Sequence, residues 1–474
     1  MRKLGCLRVF IFILLPCLIC GFVIKPQDHR MTEWQVPVDL SSETGYWGWM
    51  PKIVADSEGR VHVFWAGWVS DYAPDSEYGN VIYYRVLEDG EFSSPVDVLA
   101  AKEKLILDAV QVTSEGELLV LWHEGVNLNI SRANSSEAKQ VSAWHTQLLV
   151  RENGLYLPDL LVDQERGGYY VTYSTLQAIY VLTYNEGMWS GPFLVATAQL
   201  GYVTNGRACV GENGDLNLTW VDHPVGRVNQ GTAIEMLSWG RTGQTTRLQQ
   251  QIYQAMESNG PTLDWPVLVC GQDEFLLAFW NNGVGSQTGR FYSISRDGGK
   301  SWQTNNVFSG QLSGQTAFAG LVQDAMGRVH VVTSAQGLDN FTGMRYAVWD
   351  EVEGWSDYQS LWPEISGEWP DMTLSSGNQL HLVWHQYGGK VYYTTRRIEA
   401  PYQKPVFRDT PELQKTESSL MGTMTLTPTP LHIINWQNER LFFDTSPSIP
   451  VSLAGIAALG FVGLCLGLYF GRRR

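Results

Sequence analysis

Lys52, Asp108, Asp159, Arg207 and Asp371 stand at equivalent places in a pattern that returns along this chain, each near the start of a short apolar run. If the runs converge on an axis, these charges perturb one another's ionisation, and a carboxylate so perturbed can give or take a proton. Asp108, Asp159 and Asp371 are therefore candidate acids or bases. Lys52 and Arg207 are candidates to hold a ligand, Arg207 as a two-pronged donor to a carboxylate. Val267 and Gly320 fill the two remaining places. His123, Asn281 and His385 follow the aromatic residue that ends the next run, and Trp47, Trp49, Trp265 and Trp369 precede several first runs. Flat rings beside carboxylates suit the stacking of sugar rings, which makes His123, His385, Trp265 and Trp369 ligand-binding candidates. The plainer alternative is solvated strand ends, satisfied histidines and packing tryptophans, since the chain has 19 Trp.

The elements that position these residues are repeats. Pro51 to Trp65 (PKIVADSEGRVHVFW) returns as Asp108 to Trp122, Pro158 to Tyr173, Arg207 to Trp220, Pro266 to Trp280, Gly320 to Thr333 and Pro370 to Trp384, about 53 residues apart. Each copy is an apolar strand, a Gly-containing turn and an alternating strand, which together predict a β-hairpin. A second hairpin follows, as in Val81 to Val98 and Arg290 to Phe308. Four antiparallel strands per repeat of this size predict a propeller blade, so the fold expected is all-β, a β-propeller of about seven four-stranded blades over residues 31–399. The last copy lacks a fourth strand, and Trp34 to Leu40 matches that strand and closes the ring.

Ser295, Asp297, Gly298, Gly299, Ser301 and Trp302 spell SRDGGKSW, which resembles the Asp-box, or BNR repeat, of the sialidase superfamily. Degenerate versions occur at Asn185, Gly187 and Trp189 and at Asp350, Gly354 and Trp355. The resemblance implies a structural turn between third and fourth strands, in which Ser295, Asp297, Gly299 and Trp302 hold the blade. It also implies six blades, where the copies here number seven, and an arginine triad, a Tyr–Glu nucleophile and an acid–base Asp. The Arg-Ile-Pro signature of that family is replaced by Met50, Pro51 and Lys52; Arg207, Arg290 and Arg345 are the arginines left for a triad.

The two ends predict export and anchoring. Leu4 to Ile24 is apolar behind Arg2 and Lys3, a signal peptide or signal anchor over residues 1–25. Residues 400–448 are Pro- and Thr-rich and read as a stalk; Ile449 to Gly471 is uncharged and long enough to span a bilayer as a transmembrane helix, and Arg472 to Arg474 form a cytoplasmic basic tail. Together they predict a single-pass cell-membrane protein with an extracellular propeller and a cytoplasmic C-terminus. Only Cys209 and Cys270 lie outside the end segments; two buried thiols are the expectation, with pairing the alternative because they occupy similar places in successive repeats. No metal-type spacing and no cofactor motif occur, and the acidic loop Asp71, Asp75 and Glu77 fits no calcium loop. A formal charge of −15 argues against nucleic acid as a partner. Asn129, Asn134, Asn217 and Asn340 begin Asn-x-Ser/Thr triplets. Three functions fit: a module binding an extracellular glycan or surface protein, an exo-acting sialidase-like glycoside hydrolase, and an envelope scaffold.

Overall fold

The computed structural model describes residues 33–405 except 45–47, 69–78, 200, 225–230, 241–244, 256–262, 283–288, 304–305, 310–317, 337–341, 363–364, 366 and 387–388. Trp47, the acidic loop, Asn340, the N-terminal apolar segment and residues 449–471 lie outside them. Among the described residues no helix is long and apolar enough to cross a membrane.

The described residues are all-β, and the strand pairings within the sheets are antiparallel, between strands in chain order in every sheet except the last, which takes an N-terminal strand. Gly59, Gly116, Gly214 and Gly327 turn the first hairpins at positive φ, where a side chain would be strained. The inner strands are Trp49–Ala55, the latter part of Val96–Val112, Tyr156–Asp163, Gly201–Asn205 with Cys209–Val210, Leu263–Cys270, Gly320–Gln323 and Glu368–Ser375. Each contacts the next, and Glu368–Ser375 contacts Trp49–Ala55, so they form a closed ring. That closure is the architecture of a β-propeller. The strand Val96–Val112 serves two repeats, outermost in one and innermost in the next, and merges them into an eight-stranded sheet.

The ring is closed by hydrogen bonds, out of chain order. Val38 and Asp39 pair with Tyr393 and Tyr392, and Leu40 donates its N–H to Val391 O at 2.8 Å. An N-terminal strand thereby completes the last sheet, where the sequence placed it.

The core is divided among the gaps between successive repeats. Trp65, Trp220, Trp280 and Trp384, the aromatic residues ending the second strands, are at most 1% exposed and fill different gaps. Polar ties add to this packing. His62 bridges Tyr84 Oη (2.8 Å) and Asp56 Oδ2 (3.2 Å); His330 repeats it with Tyr346 and Asp324, and His381 with Tyr393 and Ser375. Arg60, paired to Asp56, also reaches Ser135 Oγ of the next repeat at 2.8 Å.

In the turn after Gly289–Ser295, Asp297 Oδ1 accepts Ser301 N–H at 2.9 Å, and Ser295 Oγ accepts Gly299 N–H at 2.8 Å. The Ser301 hydroxyl, the Ser301 N–H and the Ser295 hydroxyl all donate to the Asp297 carboxylate and hold its pKa down at about 2. Trp302 is half-buried against the gap formed by the preceding repeat.

Cys209 and Cys270 form a disulfide with Cα atoms 5.7 Å apart, which corrects the expectation of free thiols. Their inner strands are neighbours in the ring, and backbone bonds between Arg207 and Leu268 and between Arg207 and Pro266 bring them close enough. Asn129 and Asn217 are buried within strands, Asn217 bonding Cys270 Sγ at 3.4 Å, so the folded protein presents neither amide for modification.

Candidate functional site at the ring axis

A repeated irregularity shapes one end of the ring. Met50, Leu157, Trp265 and Trp369 all have φ between 45° and 55°, and each precedes a proline: Pro51, Pro158, Pro266 and Pro370. Left-handed backbone on a bulky residue costs on the order of 1–3 kcal/mol and persists where the surroundings enforce it. Here the strand register shifts at the same places, between Trp49 and Lys52, Tyr156 and Asp159, Asp264 and Val267, and Glu368 and Asp371. The bulges put Met50, Trp265 and Trp369 into one apolar cluster with Trp49, Val267 and Phe318. Trp265 lies 5.2 Å from Trp369 and 5.1 Å from Phe318, both edge-on. Trp49 and Trp369 are buried, whereas Trp265 is half-buried.

Immediately after the bulges come the charged candidates. The structure brings Lys52, Asp108, Asp159, Arg207 and Asp371 together, and packs them more tightly than solvated strand ends. Lys52, Asp108 and Asp159 are less than 9% exposed. Arg207 Nη1 donates to Asp159 Oδ1 at 2.5 Å and Nη2 to Asp108 O at 3.1 Å, while its guanidinium carbon lies 4.8 Å over the Phe318 ring. Asp159 Oδ2 accepts Ala208 N–H at 3.0 Å, and Asp371 Oδ2 accepts Ile53 N–H at 3.0 Å. Each of these carboxylates therefore ties its own repeat to the next, the second across the closure of the ring.

Electrostatics follow from burial. Burial and the neighbouring Arg207 bring the Lys52 ammonium down to about 8, against the pull of Asp371, Asp159 and Asp108. Burial pushes the Asp108 carboxyl up, opposed by His123, Arg207 and Lys52. His123 Nδ1 is 2.7 Å from Asp108 Oδ2, and this pair is the arrangement here best suited to moving a proton. His385 is buried 4.5 Å from Trp49 between ring centroids, with neither ring nitrogen hydrogen-bonded among the described residues, and burial takes it down to about 3.

Other expected groups fall elsewhere. Arg290 and Arg345 are buried in third strands, Arg290 donating to Ser334 O of the following repeat, whereas Lys52 and Arg207 stand at the inner strands, so the arginines expected for a triad are not placed together at the axis. No cluster of three His, Cys, Asp or Glu that could hold a metal occurs among the described residues. Phe318, which supports Arg207, stands two residues before Gly320, as Trp265 stands before Val267 and Trp369 before Asp371; it escaped sequence reasoning because Ala319, not a proline, follows it and because it is not a tryptophan. The repeated X-Pro dipeptide was the available signal for the bulges.

No protein-family model and no curated protein matches this chain. Solved structures do resemble it. A protein of unknown function from Dyadobacter fermentans superposes with a TM-score of 0.50 at 12% identity, over 77% of this chain and 99% of that one. The BP39L lectin from Burkholderia pseudomallei gives 0.54 at 12% identity, over 76% and 99%. The NanB sialidase from Streptococcus pneumoniae gives 0.45 at 12% identity, over 77% and 70%. Likeness at such identity concerns the fold.

Proposed function

We propose that this chain is a carbohydrate-binding β-propeller of seven blades, the eight-stranded sheet counting as two, displayed outside the cytoplasm and held to the membrane by residues 449–471. The observation that carries the binding role is the axial cluster, where four left-handed bulges gather aromatic rings over a buried set of charges. Strained backbone of this kind is common at ligand sites, and half-buried Trp265 supplies an aromatic ring there for a sugar to pack on. Ser295 to Trp302 acts as an Asp-box, a structural turn. The test is a glycan array probed with the purified exported domain and its Trp265→Ala variant. Binding lost in the variant, with its thermal unfolding unchanged, supports the reading; a blank array removes it.

A second reading, an exo-acting glycoside hydrolase, is favoured by one pair. Asp108, its carboxyl pushed up by burial, and His123 at 2.7 Å could supply the acid and base of glycosidic cleavage. Turnover of a fluorogenic glycoside panel, abolished in Asp108→Asn, would establish it. Anchoring is tested separately. Protease added to intact cells should cut between residues 406 and 448 and release a soluble propeller, and full protection of that stretch in sealed cells would reverse the topology.

A further inference from the structure

Running outward from the inner strand Leu263–Cys270, Asp264, Asn281 and Arg290 form one row across three strands, because Asp264 is directly opposite Asn281 and Asn281 directly opposite Arg290. Opposed residues share a sheet face. This is the face turned to the following repeat, since Phe279, two residues before Asn281, packs with Val329 and Val331 there, and Arg290 Nη2 donates to Ser334 O at 2.8 Å. Asn281 and Arg290 are each 1% exposed. Yet both amide atoms of Asn281, and Nε and Nη1 of Arg290, have no hydrogen-bond partner among the described residues. Such groups left unmatched in a buried site are costly, and an amide and a guanidinium are seldom left so together. Asp264 and Arg290 feel each other's charge without forming an ion pair among the described residues; burial lifts the Asp264 carboxyl to about 8 and brings the guanidinium down to about 9.

We infer that this row is a second binding seat, between the repeats that hold Leu263–Cys270 and Gly320–Gln323, for neighbouring hydroxyls of an uncharged sugar residue. The complement is set by the free atoms. Arg290 needs two acceptors, Asn281 needs one acceptor and one donor, and Asp264 exchanges a hydrogen bond in either protonation state. A hydroxyl both donates and accepts, so two adjacent hydroxyls answer all three side chains. A carboxylate would satisfy Arg290 but would leave the Asn281 oxygen without a donor. The seat is independent of the axial cluster and of the function proposed for it.

The test uses the full chain and a panel of methyl glycosides of common neutral hexoses, read by ligand-observed NMR and by soaking crystals. One glycoside should bind, with its ring hydroxyls within hydrogen-bond reach of Asn281 and Arg290. Asn281→Leu, close in volume and lacking both polar atoms, should weaken it about tenfold or more, whereas Trp265→Ala at the axis should leave it unchanged. Should Asn281→Leu misfold, Asp264→Leu, which removes both carboxyl oxygens, serves, with the same expected weakening. Ordered water alone in the soaked seat, or equal binding by a folded seat variant and the wild type, overturns the inference. A blank glycan array with an occupied seat would remove the axial reading and leave this one standing.

Discussion

At the scale of single residues, charge at the axis is structural before it is anything else. Asp159 accepts both a guanidinium N–H and a backbone N–H from the next repeat, so Asp159→Asn forfeits a buried charge-assisted pair. The expected loss is about 2–4 kcal/mol, measured by urea unfolding at pH 7. A value within about 0.5 kcal/mol would return Asp159 to the class of exposed charges. His385 makes a pH prediction. Its folded pKa of about 3 lies below the ordinary 6.5, so the unfolded chain takes up a proton first as pH falls. The stability it contributes is therefore fully present above pH 6.5 and is lost as pH drops toward 3; His381, at about 3, and His223, at about 4, act in the same direction. His385→Leu removes no hydrogen bond found among the described residues and should flatten the fall in stability between pH 6 and pH 4 by about one proton's slope. Unchanged slope in that window would mean that His385 is solvated.

Single elements owe their shape to turn chemistry that is legible in the chain. The SRDGGKSW segment was placed between a third and a fourth strand, and it lies between Gly289–Ser295 and Asn306–Ser309. Gly299 is the residue there with least latitude: its φ is +88°, and a Cβ would stand 2.6 Å from Met236 Sδ of the preceding repeat. Gly299→Ala should cost about 2 kcal/mol or more from strain and overlap together, seen as a lowered urea midpoint with an unchanged slope. The inner-strand bulges were less legible. Trp265 and Trp369 stand in the sequence as rings preceding strands, but their left-handed backbone accompanies a cluster drawn from several inner strands, which no local window contains.

For the whole molecule, closure is the decisive feature. The last sheet gains its outer strand from the opposite end of the chain, through Val38, Asp39 and Leu40. Removing residues 33–40 should expose the edge strand Lys390–Arg397 and uncover Val391 and Tyr393, turning one cooperative transition into an early local opening followed by global unfolding. Hydrogen exchange would show it as protection lost first in Lys390–Arg397; uniform protection across the ring would mean that closure does not depend on this strand. By itself the sequence determined the repeat, the strand order, the Gly-bearing turns, the closing strand and the convergence of Lys52, Asp108, Asp159, Arg207 and Asp371, because alternation and turn residues act within one hairpin. Only the tertiary structure decided what each of them faces. The bond from Asp371 to Ile53, the disulfide of Cys209 with Cys270, and the unmatched pair Asn281 and Arg290 all depend on how one wedge meets the next. Those partners lie in different repeats or strands, and the distances between them are set by the packing of whole sheets, which periodicity along the chain does not encode.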